Sequence, residues 1–97
     1  KLIKVVSLIN DESPVNNLRL VRCAERDFIV TVDEAAYVRM VYLDNLDRDP
    51  IKFVNKHPGA PDNSTWSVDG TSNAPARVVV GSNAHAISVI NLATNEI

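Results

Sequence analysis

The sequence predicts an all-β chain carrying about two copies of a four-stranded antiparallel sheet. Two observations lead there. The first is an internal repeat. "IVTVDEAAYVRMVYL" at 29–43 and "VVVGSNAHAISVINL" at 78–92 lie 49 residues apart and share one apolar pattern. Only Val30 with Val79, Ala35 with Ala84, and Leu43 with Leu92 are identical. The second is the texture of the chain, in which short alternating apolar runs are separated by clusters of Gly, Pro, Asn, Asp and Ser. A repeat of about 40–50 residues suits a four-stranded blade of a β-propeller.

Each strand follows from local chemistry. The run 2–9 alternates Leu, Val and Ile with Lys and Ser, and Asp11-Glu12-Ser13-Pro14 breaks the chain after it. Strands are expected next at 16–22 and 27–33, then at 36–43 and 51–55. The stretch "HPGAPDNS" at 57–64 is a loop, because prolines remove donors and glycine favours turns. Strands at 65–69, 77–81 and 86–92 follow, with "DGTSNAP" at 69–75 as a turn. Upstream of the repeated hairpins, Leu18-Arg19-Leu20 is matched with Trp66-Ser67-Val68.

One stretch has a competing reading. Residues 33–46 could form a helix with Asp33 as N-cap and Tyr37, Met40 and Val41 along one face. The match to 78–92, where a helix is implausible, favours strand. By these marks 1–97 is part of a larger propeller. Residues 1–9 are expected to be the final strand of a preceding blade, 15–55 blade one, and 64–97 most of blade two.

Bulk properties narrow the function classes. The chain has 97 residues, 45% of them hydrophobic, which is enough for one core. Its formal net charge of −2 gives no electrostatic footprint for nucleic acid. Residues 1–50 hold seven basic and nine acidic side chains, against three of each in 51–97. Cys23 is the only cysteine, so no intrachain disulfide can form and a stapled extracellular fold is not expected. No apolar run approaches the roughly 20 residues that span a bilayer, and the first residues lack a signal-peptide pattern. The chain begins at Lys1 with Met40 as its only methionine, as expected of a piece of something longer.

Short motifs add a resemblance. Residues 87–92, I-x-V-x-x-L after a small-polar turn, resemble the end of a WD-repeat blade. Ile90-Asn91 and Val41-Tyr42 stand where that repeat carries Trp-Asp, and no Gly-His opens a blade. Asn16-Asn17, Ser64-Thr65-Trp66 and Ser82-Asn83-Ala84-His85 together resemble a fungal WD-like propeller family. That family is named for constitutive transcription of ribonucleotide reductase genes. Asp69 with the "GTSNAP" insertion, and Glu34-Ala35 in the first turn, depart from its pattern. The resemblance implies a nuclear or cytoplasmic scaffold tied to regulation of those genes and to a cullin-type ubiquitin ligase assembly.

Nothing in the chain reads as a catalytic, cofactor or metal site. His57 and His85 are the only histidines, and neither stands at metal-ligand spacing from Cys23 or from the other. His85 is expected to bond local backbone at a turn beside Asn83, and His57, before Pro58, to be solvated. Asp44, Asp47 and Asp49 lack the glycine and final Glu of a calcium loop and read as a solvated connection. "VGSNA" lacks the second glycine of a nucleophile elbow, so Ser82 is a turn residue. Trp66 is expected to be buried, sharing a strand face with Val68. The sequon at Asn63 reads as a chance occurrence.

The expected function is therefore a non-enzymatic scaffold that binds other proteins and the remaining blades of its own chain. No direct nucleic-acid binding, membrane contact or cofactor is expected. Recognition is expected at the connections 33–36, 44–50, 57–64 and 82–85. The rival readings are an autonomous β-sandwich binding module, and blades of a ligand-binding or enzymatic propeller. The latter would have to draw on Asp33, Asn83 and His85.

Overall fold

A computed structural model describes residues 1, 2, 4, 14–55, 65–71, 76–82 and 86–92, and of Trp66 the backbone alone. Two antiparallel sheets result. Sheet one runs in the order β1 (Val15–Cys23), β2 (Arg26–Asp33), β3 (Tyr37–Tyr42), β4 (Ile51–Val54). Sheet two runs β5 (Thr65–Gly70), β6 (Arg77–Ser82), β7 (Ile87–Asn91). Within each sheet, neighbours in sequence are neighbours in space, which is the meander expected of a propeller blade. Of the expected strand 2–9 only Leu2 and Lys4 are described, neither of them in a strand, and the loop 57–64 lies outside the described residues.

The repeat is a repeat of register. Val30 pairs with Met40 and Val32 with Val38 in sheet one. In sheet two, Val79 pairs with Val89 and Gly81 with Ile87, each 49 residues further on. Residues 37–42 are strand throughout, so the helical reading of 33–46 is excluded. Carrying β4 forward by the same step places its counterpart beyond Ile97, and sheet two has three described strands.

The innermost strands correct one expectation. Leu18 pairs with Thr31, and it is Val68, not Trp66, that pairs with the counterpart of Thr31, Val80. The two inner strands therefore correspond at a step of 50 residues. Alternation has period 2 and cannot detect a slip of two, so matching Leu18 to Trp66 kept the pattern and lost the register. Both inner strands also carry a β-bulge at one shared place. Asn16 is the extra residue between Val15 and Asn17, and Trp66 the extra residue between Thr65 and Ser67. A bulge bends its strand and sharpens the local twist. The expected burial of the Trp66 ring lies outside the described residues.

Turn chemistry closes the first hairpin. Ala24 and Glu25 both take positive φ, 50° and 63°, between β1 and β2. That is the mirror-image two-residue turn whose twist matches the flanking strands, here made without the usual Asn-Gly.

The sheets stack face to face, and their faces are not alike. In sheet one, Val21, Phe28, Val30, Val32, Val38, Met40 and Phe53 share what we call the forward face, because each pairs across the ladder with another of the set or its neighbour. In sheet two, Val68, Val78, Val80, Ser88 and Ile90 share the opposite, rear face. The apolar members of both sets form one buried core. Each buried Val or Ile is worth about 1.5–3 kcal/mol relative to exposure. Gly70 permits the close approach, since a Cβ there would lie 2.7 Å from Cγ2 of Val21 on the other sheet.

The forward face of sheet two has no such cover. Val79, Val89 and Ile87 are 43%, 50% and 76% exposed, although their counterparts Val30, Met40 and Val38 are fully buried. On the rear face of sheet one, Leu18 and Leu20 are 56% and 64% exposed.

Candidate functional site

A buried, densely hydrogen-bonded polar constellation sits at the turn from β2 to β3. Asp33 is completely buried. Its Oδ1 accepts hydrogen bonds from the backbone N–H of Ala35 at 2.9 Å and of Tyr37 at 3.0 Å. Its Oδ2 accepts one from Nη1 of Arg39, itself buried in β3. An aspartate at the start of a tight turn can bond its own backbone a few residues on, which is why this chain turns here. Ala36 completes the turn with φ 68°, and its carbonyl accepts from the N–H of Asn55 at 2.7 Å.

Burial lowers the pKa of the Arg39 guanidinium, yet arginine stays charged at any working pH. The guanidinium lies 4.9 Å from the Tyr37 ring centroid, and Nζ of Lys52 lies 4.5 Å from the same centroid. Cations at such distances are attracted by the ring quadrupole. Tyr37, Lys52 and the half-buried Glu34 and Ala35 thus form a small polar-aromatic rim around a fixed turn.

Asp33 is therefore spent on structure. A ligand-binding funnel built on Asp33, Asn83 and His85 would need its carboxylate free, and the carboxylate already accepts three bonds. Asn83 and His85, like His57, lie outside the described residues.

Polar side chains also clamp the sheets together. Nδ2 of Asn16, the bulge residue, donates to the Thr65 carbonyl at 2.9 Å. Nε of Arg19 lies 3.4 Å from the Val68 carbonyl, to which it donates. Oγ of Ser88 donates to Oδ1 of Asn55 at 2.7 Å. Two carbonyls of the edge strand β5 thereby accept from β1 side chains, as buried or half-buried backbone requires. Sequence reading missed all three clamps, because a strand arginine or asparagine gives no signal of which sheet it will reach.

The other end of sheet one is charged. The connection 44–50 lies there, across the length of β3 from the turn at 33–36. Asp44 accepts from Nε and Nη2 of Arg26 at 3.1 and 2.8 Å, and Asp47 pairs with Lys4. The guanidinium carbons of Arg26 and Arg48 lie 4.6 and 4.2 Å from the Tyr42 ring centroid. The hydrogen bond from Arg26 holds Asp44 below its usual value, and the same bond raises Arg26. Among the described residues, no three of His, Cys, Asp and Glu converge as metal ligands would. Nor is any helix among them long and apolar enough to cross a membrane.

No family profile matches the chain, and no solved structure matches it. A curated relative does. The chain is 29% identical over 91 residues to a WD40 repeat-containing protein of Dictyostelium discoideum. The alignment covers 94% of this chain and 13% of that protein's length. This likeness supports a WD-repeat relationship and carries nothing on the narrower fungal family. Two antiparallel sheets of four and three strands, with a register that recurs from one to the next, make the chain an all-β, WD-like propeller fragment.

Proposed function

We propose that the chain forms adjoining blades of a larger WD-like propeller that serves as a non-catalytic scaffold for other proteins. The observation that carries this reading is the asymmetry of the stack. The forward face of sheet one is filled by the rear face of sheet two, while the equivalent forward face of sheet two stands open. A closed two-sheet module would bury both inner faces and leave polar residues outside. An apolar face left open on sheet two, where the equivalent face of sheet one is filled, suits a unit repeated around an axis.

In this reading 15–55 is blade one, 64–97 most of blade two, and 1–9 the last strand of a preceding blade. Recognition falls to the strand connections, which a rigid disc holds in place. Among the described connections, the rim of Glu34, Ala35, Tyr37 and Lys52 is the one fixed by the Asp33 turn. The motifs at Asn16-Asn17, Ser64-Thr65-Trp66 and Ser82-Asn83-Ala84-His85 favour a narrower role, in control of ribonucleotide reductase gene transcription or in a cullin-type ubiquitin ligase assembly. A nuclear or cytoplasmic location goes with it.

The test is co-purification from the native cell with charge reversal at the rim. A Lys52→Glu variant with an unchanged melting curve should lose a protein that the wild type binds stoichiometrically. For the narrower role, that protein should include a cullin, or loss of the gene should change ribonucleotide reductase transcript levels. Turnover of a small molecule, abolished by a point change without loss of any protein partner, would sink the scaffold reading.

A further inference from the structure

We propose that the outer edge of β4 is a docking strand for an extended segment of a partner protein, one that sets an acidic side chain against Lys52 and an apolar one against Val54. This rests on the scaffold reading above and names the partner's chemistry at the rim that carries Lys52. β4 ends sheet one, with β3 on one side only. Just past it, the N–H of Asn55 donates to the Ala36 carbonyl at 2.7 Å, toward the β3 side. Main-chain groups along an antiparallel strand face one neighbour and then the other by turns. Phe53 and Ile51 therefore also face β3, opposite Val38 and Met40. The N–H and C=O groups of Lys52 and Val54 point outward, as a template for one more strand.

Of the four edges of the two described sheets, this one is left for a partner. At the inner edges, the N–H of Leu18 donates to Oδ1 of Asn17 at 2.9 Å, and that of Gly70 to Oδ1 of Asp69 at 2.8 Å. The Val68 carbonyl is taken by Arg19. β7 lacks the fourth strand that sheet one has, and the propeller reading fills that place from the same protein. With β1 and β5 innermost, β4 lies at the circumference of the disc, where no neighbouring blade covers it.

Charge selects the occupant. Lys52 and Val54 project to the same side, being two residues apart, and both are exposed. Nζ of Lys52 rests 4.5 Å from the Tyr37 ring centroid. Among the described residues no carboxylate pairs with it. Arg39, opposite Lys52 in the ladder, is already neutralised by Asp33. Lys52 is thus the open charge on this edge. It repels a second identical edge and attracts a carboxylate.

The test titrates the isotopically labelled chain with the blocked peptide acetyl-Ser-Val-Thr-Glu-Ser-amide, up to millimolar concentration. Its Val and Glu stand in the order that antiparallel pairing with Val54 and Lys52 requires. The amide signals of Lys52 and Val54 should shift well ahead of that of Phe53. Lys52→Glu should weaken this peptide about tenfold or more and tighten its Glu-to-Lys analogue by a similar factor. Val54→Pro removes an outward N–H that the sheet does not use, which edge strands tolerate. It should keep the circular dichroism spectrum and bind the peptide about tenfold more weakly. Methylating the peptide's Val and Glu amide nitrogens should abolish docking, although the charge remains. Docking that survives this methylation, or shifts spread evenly over the chain, would mean plain charge attraction and overturn the edge site. No shift at all would overturn it too and leave the scaffold reading standing. Docking that persists while Lys52→Glu loses no cellular protein would fail the scaffold reading and not the edge.

Discussion

Replacing Asp33 by serine should remove most of what fixes the β2–β3 hairpin. In the folded chain the Asp33 carboxylate is fully buried and accepts from two turn N–H groups and from Arg39. Arg39 is only 5% exposed, so without the carboxylate its guanidinium loses its charged partner in a place that water reaches poorly. Breaking one side of a buried pair costs about 3–5 kcal/mol, a large share of the 5–15 kcal/mol that holds an ordinary domain. Arg39→Ser should cost less, about 3 kcal/mol, because Asp33 keeps its two N–H donors. The molecule also contains its own control. The counterparts of Asp33 and Arg39 in sheet two are Ser82 and Ser88, so the double serine variant installs an arrangement that the other sheet already uses. It should therefore lose less than the sum of the single changes by about 3 kcal/mol. The assay is urea denaturation followed by far-ultraviolet circular dichroism. All variants are held at one low protein concentration, because association shifts apparent stability. Additivity within about 0.5 kcal/mol, the behaviour of independent sites, would refute the buried-pair reasoning.

Further outcomes follow from the same geometry. Gly70→Ala should destabilise by about 1–3 kcal/mol in the same assay, the range for overpacking, since its Cβ would meet Val21 at 2.7 Å. Thr31→Val should leave stability unchanged or raise it by about 1 kcal/mol, because the buried Thr31 hydroxyl has no partner and sheet two carries Val80 there. Glu25→Gly should stabilise by about 0.5–1 kcal/mol, because residue 25 sits at φ 63°, where a Cβ costs about 1–2 kcal/mol, and glycine's greater unfolded-state freedom offsets part of that. Asp44 has its pKa lowered by Arg26, so its contribution is present above the unfolded value and is lost as pH falls through the folded one. Arg26 is raised from an already high value, so its contribution is constant at working pH. Proteolysis of the 44–50 connection should therefore accelerate below about pH 4, the usual carboxylate value, and Asp44→Asn should abolish that dependence.

The strand order and the hairpin repeat were legible in the sequence, because β-branched alternation and turn residues are local signals. Residues 37–42 show what made the difference. Taken alone, Tyr37, Met40 and Val41 also fit a helix, and only the distant match to 78–92 decided for strand. The register of the inner strands was not legible. A bulge at Asn16 and again at Trp66 adds a residue that alternation cannot count. The clamps from Asn16, Arg19 and Ser88 were invisible for a related reason: each joins residues 33 or 49 positions apart across two sheets. Asp33 was read as a possible ligand group because a carboxylate at a turn carries no sequence mark of burial.

The central claim is that β1 and β5 lie side by side as the inner strands of successive, equivalent sheets. Nuclear Overhauser spectroscopy on the isotopically labelled chain tests it most directly. The Asn16 side-chain amide, 2.9 Å from the Thr65 carbonyl, should show contacts to the Thr65–Trp66 peptide, and the Val21 methyls should show strong contacts to the Gly70 α-protons. Absence of both, in a spectrum that still shows the β2–β3 and β6–β7 cross-strand contacts, would mean that the hairpins are right and the stacking is wrong.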